Sequence, residues 1–247
     1  MKIAAVCCTY RRPKQLGEMI HCFEQQDYPR ELRELVILDD AGQYGAHRGP
    51  GWRLVSTRSR FATLARKRNA AAALVSHDVD AIAVWDDDDL YLPWALRASA
   101  AALEDAAWSR PSVVLHPNPD GTLRQHATGG LFHGGWAYRR SLFLAAGGYP
   151  PEANNGEDRG LAARFERILA VEADPIALGF RPFYVFRWGT SSGDRHVSGL
   201  GPRGYDHLAA PPCDTLLTAG KKWAAKPPAA IDLTSPVILP TVHPRMF

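Results

Sequence analysis

Short apolar runs that stop abruptly at polar or acidic residues recur through the first half of the chain. Ile3 to Cys8 is followed by Thr9-Tyr10-Arg11-Arg12-Pro13, Leu35 to Leu38 by Asp39-Asp40-Ala41-Gly42, and Ala81 to Trp85 by Asp86-Asp87-Asp88-Asp89. An unbroken apolar run predicts a strand buried on both faces, because a strand with one wet face alternates apolar with polar side chains. Between the runs the spacing changes. Leu16, Met19, Ile20 and Phe23 recur at helical intervals, and Ala62 to Val75 is rich in Ala and Leu with Arg66, Lys67 and Arg68 inside it. Both stretches read as helices. Pro93 opens a further helix that runs towards Leu103. Strands alternating with helices predict a parallel sheet with right-handed crossovers.

After Val113 to His116 the pattern changes, with Pro, Asn and Gly at 117–121 and then a glycine-rich stretch, Gly129-Gly130-Leu131-Phe132-His133-Gly134-Gly135-Trp136. Glycines in or beside a strand let a ligand or another backbone approach closely. Arg140 to Ala146 reads as a short helix stopped by Gly147-Gly148-Tyr149-Pro150. Leu161, Ala162, Phe165, Ile168 and Leu169 carry helical periodicity, which places Glu157 and Asp158 of Asn154-Asn155-Gly156-Glu157-Asp158 at a helix N-terminus. Phe183 to Phe186 is a strand, and a polar loop from Arg187 to His196 follows it. Residues 201–247 are Pro-rich with little periodicity; this extension wraps the domain or contacts a partner, and Ile231 to Leu239 is apolar enough to pack against the body.

Composition adds bounds. At 247 residues and 46% apolar content the chain can fill the core of one large domain or two small ones. With 29 basic and 26 acidic residues the net charge is +3, too balanced to indicate nucleic-acid binding. Cys7, Cys8, Cys22 and Cys213 show neither a zinc spacing nor a disulfide framework, which fits a reducing compartment. The first residues, Met-Lys-Ile-Ala-Ala-Val, show no charged leader followed by a long apolar region, and no segment approaches the ~20 apolar residues that span a bilayer. A cytoplasmic location is expected.

The candidate chemistry lies at the strand ends. All parallel strands end on one side of their sheet, so the acids after Leu38 and after Trp85 share one edge, where open α/β sheets bind ligands. Adjacent carboxylates repel one another and stay ionised only when water or a cation compensates them. Oxygen ligands favour Mg²⁺ or Mn²⁺, with phosphate oxygens filling further positions. The competing assignment is a solvated turn in which Asp89 caps the helix that Pro93 opens. Tyr10 is placed to stack on a base, and Arg11, Arg12, Arg66 and Arg68 to meet phosphate, though packing or a solvated helix face would explain each alone. Asp158 at a helix start is held ionised by the helix dipole and suits proton abstraction from an alcohol; acids also stabilise first turns with no further role.

In order and spacing these residues resemble the family-2-like glycosyltransferases of the GT-A fold. The resemblance rests on Val6-Cys-Cys-Thr-Tyr-Arg-Arg-Pro13, Glu34-Leu-Val-Ile-Leu-Asp-Asp40, Arg68-Asn69, Trp85-Asp-Asp-Asp-Asp-Leu-Tyr-Leu-Pro93, Gly147-Gly148-Tyr149 and Gly156-Glu-Asp158. It implies an α/β, Rossmann-like, mostly parallel sheet flanked by helices. Residues 1–200 would form the GT-A domain, with a nucleotide-binding half at 1–105, a smaller acceptor and catalytic half at 106–200, and the tail at 201–247. It further implies a nucleotide-diphosphate sugar as donor and a carbohydrate or other hydroxyl as acceptor. Asp86 and Asp88 would hold Mn²⁺ or Mg²⁺ with His196 completing the site, and Asp158 would be the general base of an inverting, hexosyltransferase-like displacement. Donor contacts are expected from Thr9, Tyr10, Arg12, Asp39 or Asp40, Arg66, Arg68, Asp87, Gly135, Trp136 and Glu157. Cys8 and Ala41 depart from the family pattern, where Pro and Gly are common, and neither change removes a carboxylate. The alternatives are a nucleotidyltransferase acting on a sugar phosphate and a non-catalytic nucleotide-sugar binding module; the absence of Gly between Thr9 and Pro13 counts against the first.

Overall fold

The computed structural model describes residues 1–118, 122–153 and 156–187. In chain order the early elements are β1 (Ile3–Thr9), α1 (Pro13–Glu24), β2 (Arg33–Asp39), β3 (His47–Gly49), β4 (Trp52–Ser56), α2 (Leu64–Ala73), β5 (Ala81–Asp86), β6 (Leu90–Tyr91) and α3 (Ala95–Ala102). The later ones are β7 (Trp108–Ser109), β8 (Val113–Pro117), β9 (Leu123–Ala127), β10 (Ala137–Arg139), α4 (Arg140–Ala145), α5 (Glu157–Arg167), β11 (Glu172–Ala173) and β12 (Tyr184–Val185).

The apolar runs are strands because helices cover both faces of their sheet. Ile3, Ala5 and Cys7 of β1 join Leu35, Ile37, Ala83 and Trp85 in one core with Leu16, Met19, Ile20 and Phe23 of α1. Their neighbours Ala4, Val6, Val36, Leu38, Ile82 and Val84 enter a second core with Ala65 and Ala70 of α2 and Leu161 and Phe165 of α5. Alternate side chains thus serve opposite layers, and no position along the strand needs to be polar.

Eight strands lie in the order β11-β7-β10-β5-β1-β2-β4-β3, and the central β5-β1-β2-β4 group is parallel. β10 is antiparallel to both β5 and β7, and β3 is antiparallel to β4. In register, Thr9 lies opposite Asp39 and Cys8 opposite Asp86, so the polar ends of three strands are level. A second sheet, β6-β12-β8-β9, stands beside the first. The stretches before and after residue 105 interlock: β10, β7 and β11 extend the large sheet, whereas β6, from the first stretch, joins the small one.

Two aromatic contacts tie the sheets together. Trp85 of β5 stacks on Tyr91 of β6 with centroids 4.0 Å apart, and Tyr91 stacks on Tyr184 of β12 at 5.4 Å. The acidic run Asp86–Asp89 is the turn that this stack spans.

Some elements differ from the sequence reading. α5 ends at Arg167, and Ile168 and Leu169 are 46% and 88% exposed, so helical spacing overran the helix by these residues. The reason is backbone geometry: Leu169 has φ +53°, which closes the helix whatever the side-chain pattern continues to do. β4 was not anticipated although Trp52 and Leu54, alternating with Arg53, are both buried. Cys7 and Cys22 are buried free thiols, and Cys8 is a half-buried one. Among the described residues no helix is long and apolar enough to cross a membrane. His196, Cys213 and the extension at 201–247 lie outside the described residues.

Trp85→Ala removes the centre of the aromatic stack from a buried site, and the expected loss is about 3–5 kcal/mol of unfolding free energy. A urea titration should show this as a lower midpoint with an unchanged m-value.

Candidate active site

The acid turn is compensated by the protein itself. Asp86 Oδ1 accepts from Arg68 Nη2 at 3.0 Å. Asp87 accepts from the Thr9 hydroxyl at 2.7 Å and from Arg12 Nη1 at 2.9 Å, and the same Arg12 nitrogen donates to Asp88 Oδ2 at 2.8 Å. Asp89, fully buried, accepts from the Tyr184 hydroxyl and from the Arg187 amide at 2.8 Å. Donors from β1, the β1–α1 loop, α2 and β12 thus meet the run, and Arg12 and Arg68 bring positive charge to it. One expectation is corrected. Asp89 does not cap the following helix: Trp94 occupies the cap of α3, without a side-chain hydrogen bond, and Asp89 points at β12 instead. Burial pushes the Asp87 carboxyl up from its ordinary value, while Arg12 and Thr9 act against that shift.

The second acidic strand end is built differently. Asp39 accepts from the Ser56 hydroxyl at 2.7 Å and the Ala41 amide at 3.0 Å. Asp40 is held by Lys67 Nζ at 2.5 Å and the Phe61 amide at 3.2 Å. Lys67 also donates to the Thr9 carbonyl at 2.6 Å, so this buried lysine joins the ends of β1 and β2. Beside them the Arg60 guanidinium lies 3.5 Å from the centroid of Tyr10, with Arg11 on the same ring at 5.3 Å.

Arg68 reaches a third element. Its Nε donates to Glu157 Oε1 at 3.3 Å, which connects the first turn of α5 to Asp86 at the end of β5. Burial raises the Glu157 carboxyl, opposed by the charge of Arg68. Asp158 is half-buried next to it and accepts the Arg159 amide at 2.7 Å. α5 starts there because Gly156, at φ +73°, turns the chain into the helix. Arg66 points elsewhere and pairs with Glu152. Asn69 holds the backbone of Tyr149 at both its N–H, 2.8 Å, and its C=O, 3.0 Å, fixing the turn that precedes α5.

The glycine-rich stretch passes over the acid turn. A Cβ on Gly134 would lie 2.9 Å from Asp86 Oδ2 and 2.7 Å from the Tyr184 hydroxyl, so only glycine lets the chain come this close to Asp86. Gly135 packs against Pro111 and Tyr184. Trp136 is a correction: its ring is buried against Trp108 and His133, which makes it a core residue with no face left for a ligand. Sequence reasoning missed His133, whose Nε2 meets the Tyr149 hydroxyl at 3.1 Å, which in turn meets the Tyr138 hydroxyl at 3.1 Å. Its glycine neighbours were the available signal.

Among the described residues no group of three or more His, Cys, Asp or Glu side chains is arranged around a common metal position. Asp86 and Asp88 nevertheless supply hard oxygen donors, and Gly134 keeps side-chain bulk away from Asp86 Oδ2. A pair of this kind fits a divalent ion that takes its other ligands from phosphate and water.

A parallel β5-β1-β2-β4 core, a small second sheet, and an acid turn at the junction define a GT-A fold. The profile of glycosyl transferase family 2 matches residues 5–128, and the chain belongs to that family. The structure is similar to that of S. aureus TarS 1-349 in complex with UDP-GlcNAc, with a TM-score of 0.62 and 16% identity over 79% of this chain and 60% of that one. It is also similar to the mannosyltransferase PcManGT from Pyrobaculum calidifontis in complex with GDP-Man and Mn²⁺, with a TM-score of 0.56 and 18% identity over 83% of this chain and 58% of that one. The chain therefore spans less than two thirds of either structure. No curated protein matches the sequence significantly.

His133 gives the site a pH dependence. Burial, helped by Arg68, holds its imidazole well below the ordinary value of 6.5. The unfolded chain therefore binds more protons below pH 6.5, and stability falls as pH drops from there towards the folded value. The expected slope is up to about 1.4 kcal/mol per pH unit. Urea titrations between pH 7.5 and 5 should show that slope in the parent chain and lose it in His133→Asn.

Proposed function

We propose that the protein transfers a sugar from a nucleotide-diphosphate donor to an acceptor hydroxyl, with divalent-ion dependence and inversion at the anomeric carbon. The observation that carries this reading is the Arg68 bridge, which sets the acid turn after β5 and the first turn of α5 side by side at the sheet edge where Thr9 and Asp39 also end. The ligands of the similar structures, UDP-GlcNAc and GDP-Man, belong to the proposed substrate class.

The nucleoside lies against the ends of β1 and β2, where Asp39 presents a carboxylate and Tyr10 an aromatic face beside Arg60. Arg12, on the loop after β1, meets the diphosphate. Asp86 and Asp88 would hold a divalent ion, whose chemistry would be to supply positive charge to the departing diphosphate. Arg68 keeps Asp86 oriented and, through Glu157, places α5 against the same edge. Asp158 stands in the first helical turn and takes the proton of the acceptor hydroxyl as its oxygen attacks the anomeric carbon. The carbon–oxygen bond to the diphosphate breaks on the opposite face, and the configuration inverts.

Asp158→Asn is expected to retain donor binding and to lower transfer by ~10²–10⁴-fold, the usual contribution of a general base. Asp88→Ala is expected to lose the part of donor binding that depends on Mn²⁺. Calorimetric titration with UDP- and GDP-sugars, with and without Mn²⁺, alongside product detection, checks both. Unchanged turnover in Asp158→Asn would remove the base assignment.

A further inference from the structure

The arginines bonded to the acid turn differ in exposure and in the elements that carry them. Arg68 is 10% exposed and fixed between Asp86 and Glu157. Arg187 donates its side chain to Glu18 and to the Asp88 carbonyl, and its own amide binds Asp89. Arg12 is 24% exposed, against 4% and 9% for Asp87 and Asp88, and it sits on the short loop between β1 and α1. The preceding residue, Arg11, has φ +55°, a strained conformation for a side chain of that size. A single Arg12 nitrogen serves both carboxylates, and Asp87 also accepts from the Thr9 hydroxyl.

We propose that Arg12 is a resident counter-ion: it occupies Asp88 in the ligand-free enzyme, yields that carboxylate to the divalent ion, and turns to the donor diphosphate. The proposal rests on the reading that Asp88 receives the ion. Its physical basis is competition for one carboxylate. A guanidinium 2.8 Å from Asp88 Oδ2 neutralises much of the charge that would attract a metal, so the free enzyme binds the ion weakly. A diphosphate offers Arg12 another anion and removes its competition for Asp88, so ion and nucleotide each strengthen the binding of the other. Linkage makes that coupling reciprocal. The device also keeps the acid turn folded before the donor arrives, since a buried carboxylate with no partner is costly.

The test is Mn²⁺ binding to the full chain, measured by electron paramagnetic resonance of free Mn²⁺ and by calorimetry, first with the metal alone and then with UDP or GDP. Arg12→Met is expected to bind Mn²⁺ alone about tenfold more tightly than the parent, one ion pair's worth of competition. It is also expected to lose most of the tightening that nucleotide brings. Arg12→Lys, which keeps the charge, should stay close to the parent in Mn²⁺ binding and controls for loss of fold in Arg12→Met. Equal or weaker Mn²⁺ binding by a folded Arg12→Met, in a parent that does bind Mn²⁺ with nucleotide, overturns the counter-ion role and leaves the proposed function standing. Absence of Mn²⁺ binding in every form, with nucleotide present, overturns the metal reading and the inference with it.

Discussion

Charge compensation at the turn between β5 and β6 is the constraint that the surrounding structure answers. Neighbouring carboxylates repel, and three of the four in this run, Asp87, Asp88 and Asp89, are buried. Each finds its partner on a different part of the chain: Thr9 at the end of β1, Arg12 on the following loop, and Tyr184 and the Arg187 amide at the end of β12, while Asp86 is met by Arg68 of α2. Elements distant in sequence are thus fastened to one point. The turn organises the fold.

The two sheets meet at this point because their aromatic side chains do. Trp85, Tyr91 and Tyr184 form a continuous stack from the large sheet into the small one, and the Tyr91 hydroxyl accepts the Asp86 amide at 2.6 Å. Apolar stacking below and ion pairing above act on the same few residues. The polar edge consequently has a rigid base, which is what a site that must hold reacting groups in fixed relation needs.

Arg68 carries this rigidity to α5. A buried guanidinium between two carboxylates costs desolvation, and geometry with hydrogen bonds to both offsets it. Asn69, the next residue, fixes the Gly148–Tyr149 turn, where a Cβ on Gly148 would approach Asn69 Oδ1 to 2.6 Å. One turn of α2 therefore positions both the acid turn and the approach to α5. Lys67, one residue earlier, ties β1 to β2 in the same manner. Three consecutive polar residues in an Ala-rich helix thus each cross-link a part of the polar edge.

Much of this was legible in the amino-acid order. Continuous apolar runs marked the central strands because burial on both faces leaves a local trace, and the acids after them marked the sheet edge because parallel strands all end on one side. Glycines marked close approaches. Other features left no local trace: β7, β10 and β11 are too short to show a period, and Trp136 reads like a ligand-facing residue until Trp108 and His133 are seen around it. Partner choice was likewise a tertiary decision. Nothing near Asp86 to Asp89 in the chain shows that Arg12, Arg68 and Tyr184 will reach them, since an ion pair is set by distance in space, and residues 75, 18 and 95 positions away are brought there only when the sheets close.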